Sequence, residues 1–237
     1  MNVKILLEYE GTYYSGWQRQ KNALSIQEVL ETAIGSITGE KVNVVGSGRT
    51  DAGVHALGQV ANFKTQTRIP PEKLPYAINS KLPNDIVVKH AETVPEDFHA
   101  RFAAKAKIYT YTIYNAEFPS PLIRRYSYFF PKPVDVKAME RAADMLVGAH
   151  DFASFMASGS PVKSTVRRID RLEVFKSGDV IKLEIEANGF LYNMARIIAG
   201  TLLDVGTNKK TAAEMVSILK SKDRSLAGRT LPPQGLC

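Results

Sequence analysis

The chain has 237 residues, 44% hydrophobic and 23% charged, which suits one large packed domain or two small ones. Its 31 Lys and Arg against 24 Asp and Glu leave a net charge of +7, an excess that suits an anionic partner such as nucleic acid. The single cysteine, Cys237, excludes an intrachain disulfide or cysteine-based metal site, no uncharged apolar run reaches about 18 residues, and the N-terminus enters "VKILLEYE" without a leader-like core, so a cytoplasmic globular protein is expected.

Residues 3–10 alternate, with Val3, Ile5, Leu7 and Tyr9 on one side, and read as a half-buried strand. The polar and aromatic loop "GTYYSGWQRQKNA" follows. Ser25 with Glu28 forms a capping-box pattern. It opens a helix with the stripe Ile26, Val29, Leu30, Ala33, Ile34 and Ile37, stopped at Gly39. Val42 to Val45 reads as a strand, "GSGRTDAG" as a turn, and the run through Phe63 as another strand. A short helix over 71–80 and a strand over 86–93 complete this half.

In the second half, residues 108–115 alternate, with Tyr109, Tyr111 and Ile113 on one face. A helix is predicted over 136–147, with Val136, Met139, Ala142, Ala143, Leu146 and Val147 inward and Gly148 as its stop. Strands over 166–176 and 180–187 flank "SGD", a hairpin signal. Ile181, Leu183, Ile185 and Ala187 alternate with polar residues, which favours an antiparallel sheet with one wet face. Helices over 190–204 and 212–221 follow, the second with the capping pattern Thr211 and Glu214. The pattern indicates an α+β class in two halves, 1–104 and 105–237, with no flexible linker. A cleft between the halves is a favoured ligand site.

Asp51 has two readings: a turn aspartate bonding its own backbone, or a catalytic carboxylate held between two strands. The crowding of Gly46, Gly48, Arg49, Asp51 and Gly53 exceeds what a turn needs. Arg49 could hold such a carboxylate ionised, or bind a phosphate. His55 could act as acid or base, but no second carboxylate or serine is spaced to complete a triad with it. The four histidines form no HxH, HExxH or Cys/His cluster, so no metal site is expected. Neither GxGxxG nor GxxxxGK[ST] occurs, so no nucleotide cofactor is expected. Arginines and aromatics interleave in "GWQRQ", in "DFHARF" with Arg101, in "IRRYSYFF" and near "VKSTVRRIDR", a mixture that suits phosphates and bases. Arg196 lies among Met194, Ala195, Ile197 and Ile198, where a buried guanidinium needs a carboxylate partner.

The blocks "YEGTYYSGWQRQ", "GRTDAGVHALGQV", "DFHARFAAKAKIYTY", "LVGAHDFASF" and "NGFLYNMARIIAGTLLDVG", in this order, resemble the bacterial tRNA pseudouridine synthase A family over nearly the whole chain. The resemblance implies isomerisation of uridine to pseudouridine at positions 38, 39 and 40 of the tRNA anticodon stem-loop. It implies no metal, nucleotide or redox cofactor. It also implies a homodimer whose two subunits contact one tRNA, and two pseudo-symmetric α+β halves with a largely antiparallel sheet and a central active-site cleft. Position by position, Asp51 is similar to the catalytic aspartate and Arg49 to the arginine that displaces the target base. Tyr109 resembles the tyrosine that stacks on that base, and Arg196 the arginine that pairs with the aspartate. His55 and Gln59 fall within the motif, and with Arg101 they are expected to serve substrate binding. The family often has Asp where Glu10 stands, and it continues past "GL" with a further strand.

Overall fold

Backbone packing in the computed structural model, which describes residues 1–159 and 162–237, divides the chain into two units, Met1–Lys105 and Ala106–Cys237. The first unit contains β1 (Asn2–Tyr9), α1 (Ile26–Thr38), β2 (Val45–Gly46), β3 (Ala56–Lys64), α2 (Leu74–Asn79), β4 (Ile86–Val94) and α3 (Ala100–Ala103). Its sheet runs β2-β3-β1-β4 with every pair antiparallel, so β1 is central. The period-two alternation of β1 buries Val3, Ile5 and Leu7 completely. They pack with Ile26, Leu30 and Ile34 of α1 in one apolar cluster. The Ser25 half of the capping pattern forms: its hydroxyl accepts from the Glu28 N–H at 3.3 Å, and Gly39 ends the helix.

The strand expected over Val42–Val45 is corrected to two paired residues, Val45 and Gly46. Side chains of α1 take the backbone groups that a longer strand would offer to a neighbour. The Glu31 carboxylate accepts from the Val44 N–H at 3.0 Å, and the Gln27 amide donates to the Val44 carbonyl at 3.0 Å. Val42 and Val44 still bury their side chains, which is the apolar signal the sequence carries.

The second unit contains β5 (Lys107–Tyr114), β6 (Tyr128–Phe129), α4 (Val136–Asp144), β7 (Gly148–Asp151), β8 (Val166–Ser177), β9 (Val180–Ala187), α5 (Met194–Gly206) and α6 (Glu214–Ser221). The sheet order is β6-β5-β9-β8-β7, antiparallel except for the short β5–β6 pair. Ile181, Leu183, Ile185 and Ala187 of β9 are fully buried, as their alternation implies. The "SGD" signal forms the tight β8–β9 hairpin, with Ser177 opposite Val180. The class is α+β with largely antiparallel sheets, one in each unit.

Helix bounds are the main corrections here. α4 stops at Asp144, so Leu146 stays buried but Val147 turns outward at 40% exposure. Gly148 begins β7 opposite Ile169 rather than capping the helix. α5 begins at Met194 because Asn193 adopts a left-handed φ of 59°, which no interior helical residue takes. Only part of the second capping pattern forms: the Thr211 N–H and hydroxyl donate to the Glu214 carboxylate at 2.5 and 2.8 Å, and α6 starts at Glu214 itself.

The Glu31–Val44 bond should matter for stability, because removing the acceptor strands a buried N–H. Glu31→Ala is expected to cost about 1–3 kcal/mol, lowering the melting temperature by roughly 2–12 °C. Glu31→Gln, whose amide oxygen still accepts, should lose much less. Thermal melts of the two variants beside the parent check this.

Candidate active site

The loop from Ser47 to His55 joins β2 to β3, and contacts with β3, with β1 and with the segment after β1 hold it down. At its start, the Ser47 N–H donates to the Val60 carbonyl at 2.8 Å. In its middle, the Thr50 carbonyl accepts from the Trp17 N–H at 3.0 Å, and the Thr50 and Tyr9 hydroxyls bond at 2.9 Å. Beyond Asp51, the Val54 N–H donates to the Asp51 carbonyl and the Gly53 N–H to the Tyr14 carbonyl, each at 3.2 Å. Asp51 is half-buried, with its backbone bracketed on both sides.

This bracketing depends on close backbone approach. A Cβ on Gly16, whose φ is +85°, would lie 2.4 Å from the Thr50 carbonyl oxygen. A Cβ on Gly11 would lie 1.9 Å from the Val54 carbonyl oxygen. The clamp is itself anchored, because the Tyr14 hydroxyl donates to Asp85 at 2.7 Å. Burial, and then the Asp85 hydrogen bond and charge, push the Tyr14 phenol far above its usual pKa, so it stays a donor at any working pH.

His55 and Gln59 sit beneath the loop. His55 is buried and its Nδ1 accepts from the Gly11 N–H at 3.0 Å, which puts the proton of a neutral ring on Nε2. Gln59 is buried, donates to the Gly48 carbonyl at 2.6 Å and accepts from the Ser47 hydroxyl at 3.2 Å. Arg49 is exposed on the loop. Arg101 is exposed on α3, with its guanidinium 6.0 Å from the Phe102 ring centre. The position of α3 follows from a buried amide pair. Asn62 donates to the Asn2 side chain at 3.0 Å and accepts from the Ala100 N–H at 2.9 Å, while Asn2 holds the Phe98 carbonyl at 2.9 Å.

In the second unit, Tyr109 lies on β5 opposite Ile185, with the Phe190 ring edge-on at 4.7 Å. Arg196 lies in the first turn of α5. Its Nε donates to the Leu231 carbonyl at 2.7 Å and its Nη1 to the Asn193 side chain at 2.8 Å. The segment between β9 and α5 therefore serves both residues, Phe190 packing on Tyr109 and Asn193 holding Arg196. The C-terminal segment does the same from the other direction. Leu231 bonds Arg196, the Tyr111 hydroxyl donates to the Pro232 carbonyl at 2.7 Å, and Thr110 and Cys237 exchange two backbone bonds at 2.8 and 2.9 Å. Burial pushes the Tyr111 phenol far above its usual pKa, so that donor also persists. Arg229 stacks 5.4 Å over the Tyr128 ring centre and donates to its hydroxyl at 2.6 Å.

Sequence reasoning singled out Asp51, Arg49, Tyr109 and Arg196 but not the residues that hold them, namely Tyr9, Thr50, Trp17, Phe190, Asn193 and Leu231. Asn193 carried a usable signal, since Asn directly before an apolar helical run marks a helix start. The others work through tertiary contacts. Among the described residues no group of His, Cys, Asp or Glu is clustered to hold a metal, and no helix is long and apolar enough to cross a membrane.

A family model described as tRNA pseudouridine synthase matches residues 5–103 and 142–237. The chain is 57% identical over 235 residues to the tRNA pseudouridine synthase A of Thermoanaerobacter sp. (strain X514), covering 99% of this chain and 96% of that one. It is 50% identical to the same-named protein of Acetivibrio thermocellus with the same coverage. It is 48% identical to that of Clostridium acetobutylicum, over 100% of this chain and 97% of that one.

Gly16→Ala should disturb the clamp twice, through its positive φ and through the Thr50 carbonyl, at a cost of about 1–3 kcal/mol or more. Trp17, the sole tryptophan, is 2% exposed and reports on this place alone. Its emission should shift to the red in Gly16→Ala and stay unchanged in Gly39→Ala, because a Cβ on Gly39 meets nothing within 4 Å.

Proposed function

Because the chain belongs to the tRNA pseudouridine synthase family, we propose that it converts uridine to pseudouridine at positions 38, 39 and 40 of the tRNA anticodon stem-loop, with Asp51 as its catalytic carboxylate. It is an isomerase that acts on tRNA. The observation that carries the role of Asp51 is its bracketed backbone: a reacting group gains most when its geometry is set before the substrate arrives.

The reaction conserves every atom of the nucleotide. The N1–C1′ bond breaks, the uracil turns, C5 bonds to C1′, and the proton on C5 is exchanged for one on N1. No oxidant, reductant or group donor is required. The target lies in a stem that hides this bond, so the nucleotide must leave the stack at a cost of a few kcal/mol. Asp51 supplies the carboxylate, as nucleophile or base. Arg49, exposed on the same loop, takes the place of the displaced base. Tyr109, braced by Phe190, stacks on the flipped uracil. We assign Arg196 the role of counter-charge to Asp51; Leu231 and Asn193 fix its guanidinium. His55 and Gln59 serve substrate binding through the loop they support, and Arg101 through a backbone phosphate. The enzyme works without a cofactor, in the cytoplasm, as a homodimer.

Asp51→Asn should lower pseudouridine formation in an anticodon stem-loop transcript by at least ~1,000-fold, with tRNA affinity within about threefold of the parent. Mapping pseudouridine after incubation reads the first quantity and filter binding the second. Conversion at the parent rate removes Asp51 from the chemistry. Tight binding with no conversion by the parent itself would make the chain an RNA-binding protein on this scaffold. Arg196→Ala should reduce turnover while leaving tRNA affinity nearly unchanged, and an unchanged rate would reject its role as counter-charge.

A further inference from the structure

Thr50 is the residue immediately before Asp51, and it is held at two points. Its carbonyl accepts from Trp17 at 3.0 Å and its hydroxyl meets the Tyr9 hydroxyl at 2.9 Å. Two anchors on one β-branched residue fix its rotamer together with its peptide plane. With the Asp51 carbonyl held by the Val54 N–H at 3.2 Å, the peptide planes on both sides of Asp51 are fixed, and with them the direction of its Cα–Cβ bond.

The post to which Thr50 is tied is rigid. Tyr9 ends the central strand, with Ala56 opposite it on β3 and Ile86 opposite it on β4. It is 3% exposed, and its ring packs on Trp17 with centroids 6.3 Å apart. Thr50 is half-buried, on the loop itself, so the bond joins a loop residue to a buried post in the sheet.

We infer that Tyr9 and Thr50 are positioning residues for the reaction, a hydroxyl pair that ties the catalytic loop to the central strand and aims the Asp51 carboxylate. This inference rests on Asp51 being the catalytic group. Neither residue acts on the RNA directly, so the pair sets the rate of the chemical step and leaves tRNA affinity alone.

The test is single-turnover conversion of an anticodon stem-loop transcript at saturating enzyme, with tRNA affinity and melting temperature measured beside it. Tyr9→Phe and Thr50→Val should each slow conversion roughly 10- to 100-fold, the scale of a misplaced reacting group. Affinity should stay within about threefold. The double variant should lose less than the product of the two single losses, because each change already removes the bond the two residues share. Thr50→Ser, which keeps the hydroxyl, should stay close to the parent rate. A parent-like rate in Thr50→Val, losses that multiply in the double variant, or Thr50→Ser as slow as Thr50→Val would each overturn the inference. If Tyr9→Phe does not fold, Thr50→Val against Thr50→Ser decides. Asp51→Asn run in parallel separates two failures. An inactive Asp51→Asn with Tyr9→Phe and Thr50→Val at full rate sinks the positioning role alone, while an active Asp51→Asn sinks the catalytic reading and the positioning role with it.

Discussion

The approach of the Gly16 backbone to the Thr50 carbonyl is the constraint on which the candidate site depends. A side chain at residue 16 would stand 2.4 Å from that oxygen, and the positive φ there favours glycine. With the side chain absent, the Trp17 N–H reaches Thr50, the Tyr14 carbonyl reaches Gly53, and the loop carrying Asp51 acquires backbone partners from a segment more than thirty residues earlier. A polar, glycine-containing loop would otherwise be among the most mobile parts of a small protein. Here it is tied to β3 at its start, to Tyr9 of β1 and Trp17 in its middle, and to Gly11 and Tyr14 at its end.

The second unit builds its candidate residues by the same device. Gly200 of α5 and Gly228 of the C-terminal segment let two backbones touch, with a Cβ on Gly200 placed 1.9 Å from the Arg229 carbonyl oxygen. Gly228 also donates to the Thr201 hydroxyl at 2.8 Å. That crossing brings Leu231 to Arg196 and leads the chain on to Tyr111 and Thr110 beside Tyr109. Each candidate side chain thus stands on a strand, a helix turn or a clamped loop, and main-chain contacts hold the Asp51 loop and Arg196. Such contacts suit a reaction that moves no external group, where orientation and exclusion of water from the detached uracil carry much of the work.

Buried polar groups in this protein are mostly spent on placement. Asn2 and Asn62 fix the entry to α3, Gln59 holds Gly48, and Gln27 with Glu31 replaces strand pairing at Val44. Each gives a buried donor or acceptor a partner, which is the condition for keeping polar side chains inside. Arg49 and Arg101 are exposed, in keeping with a tRNA substrate.

The sequence by itself determined the α+β class, the β1 and β9 faces, the Ser25 cap and the β8–β9 hairpin, because alternation, capping and tight-turn chemistry act between residues a few positions apart. It also marked "GRTDAG" as denser than a turn requires, and through the resemblance it named Asp51, Arg49, Tyr109 and Arg196. Only the tertiary structure decided that Val44 bonds α1 side chains rather than a strand, that α4 stops at Asp144 and that α5 waits for Asn193. Only it decided that Tyr9, Thr50 and Trp17 hold the Asp51 loop, and that Leu231 holds Arg196. The two helix bounds are set locally, α5 by the left-handed backbone of Asn193, where apolar periodicity alone marks no end. The other features depend on a hydrogen bond or a missing Cβ between segments remote in sequence, and no local periodicity encodes which distant backbone will arrive there.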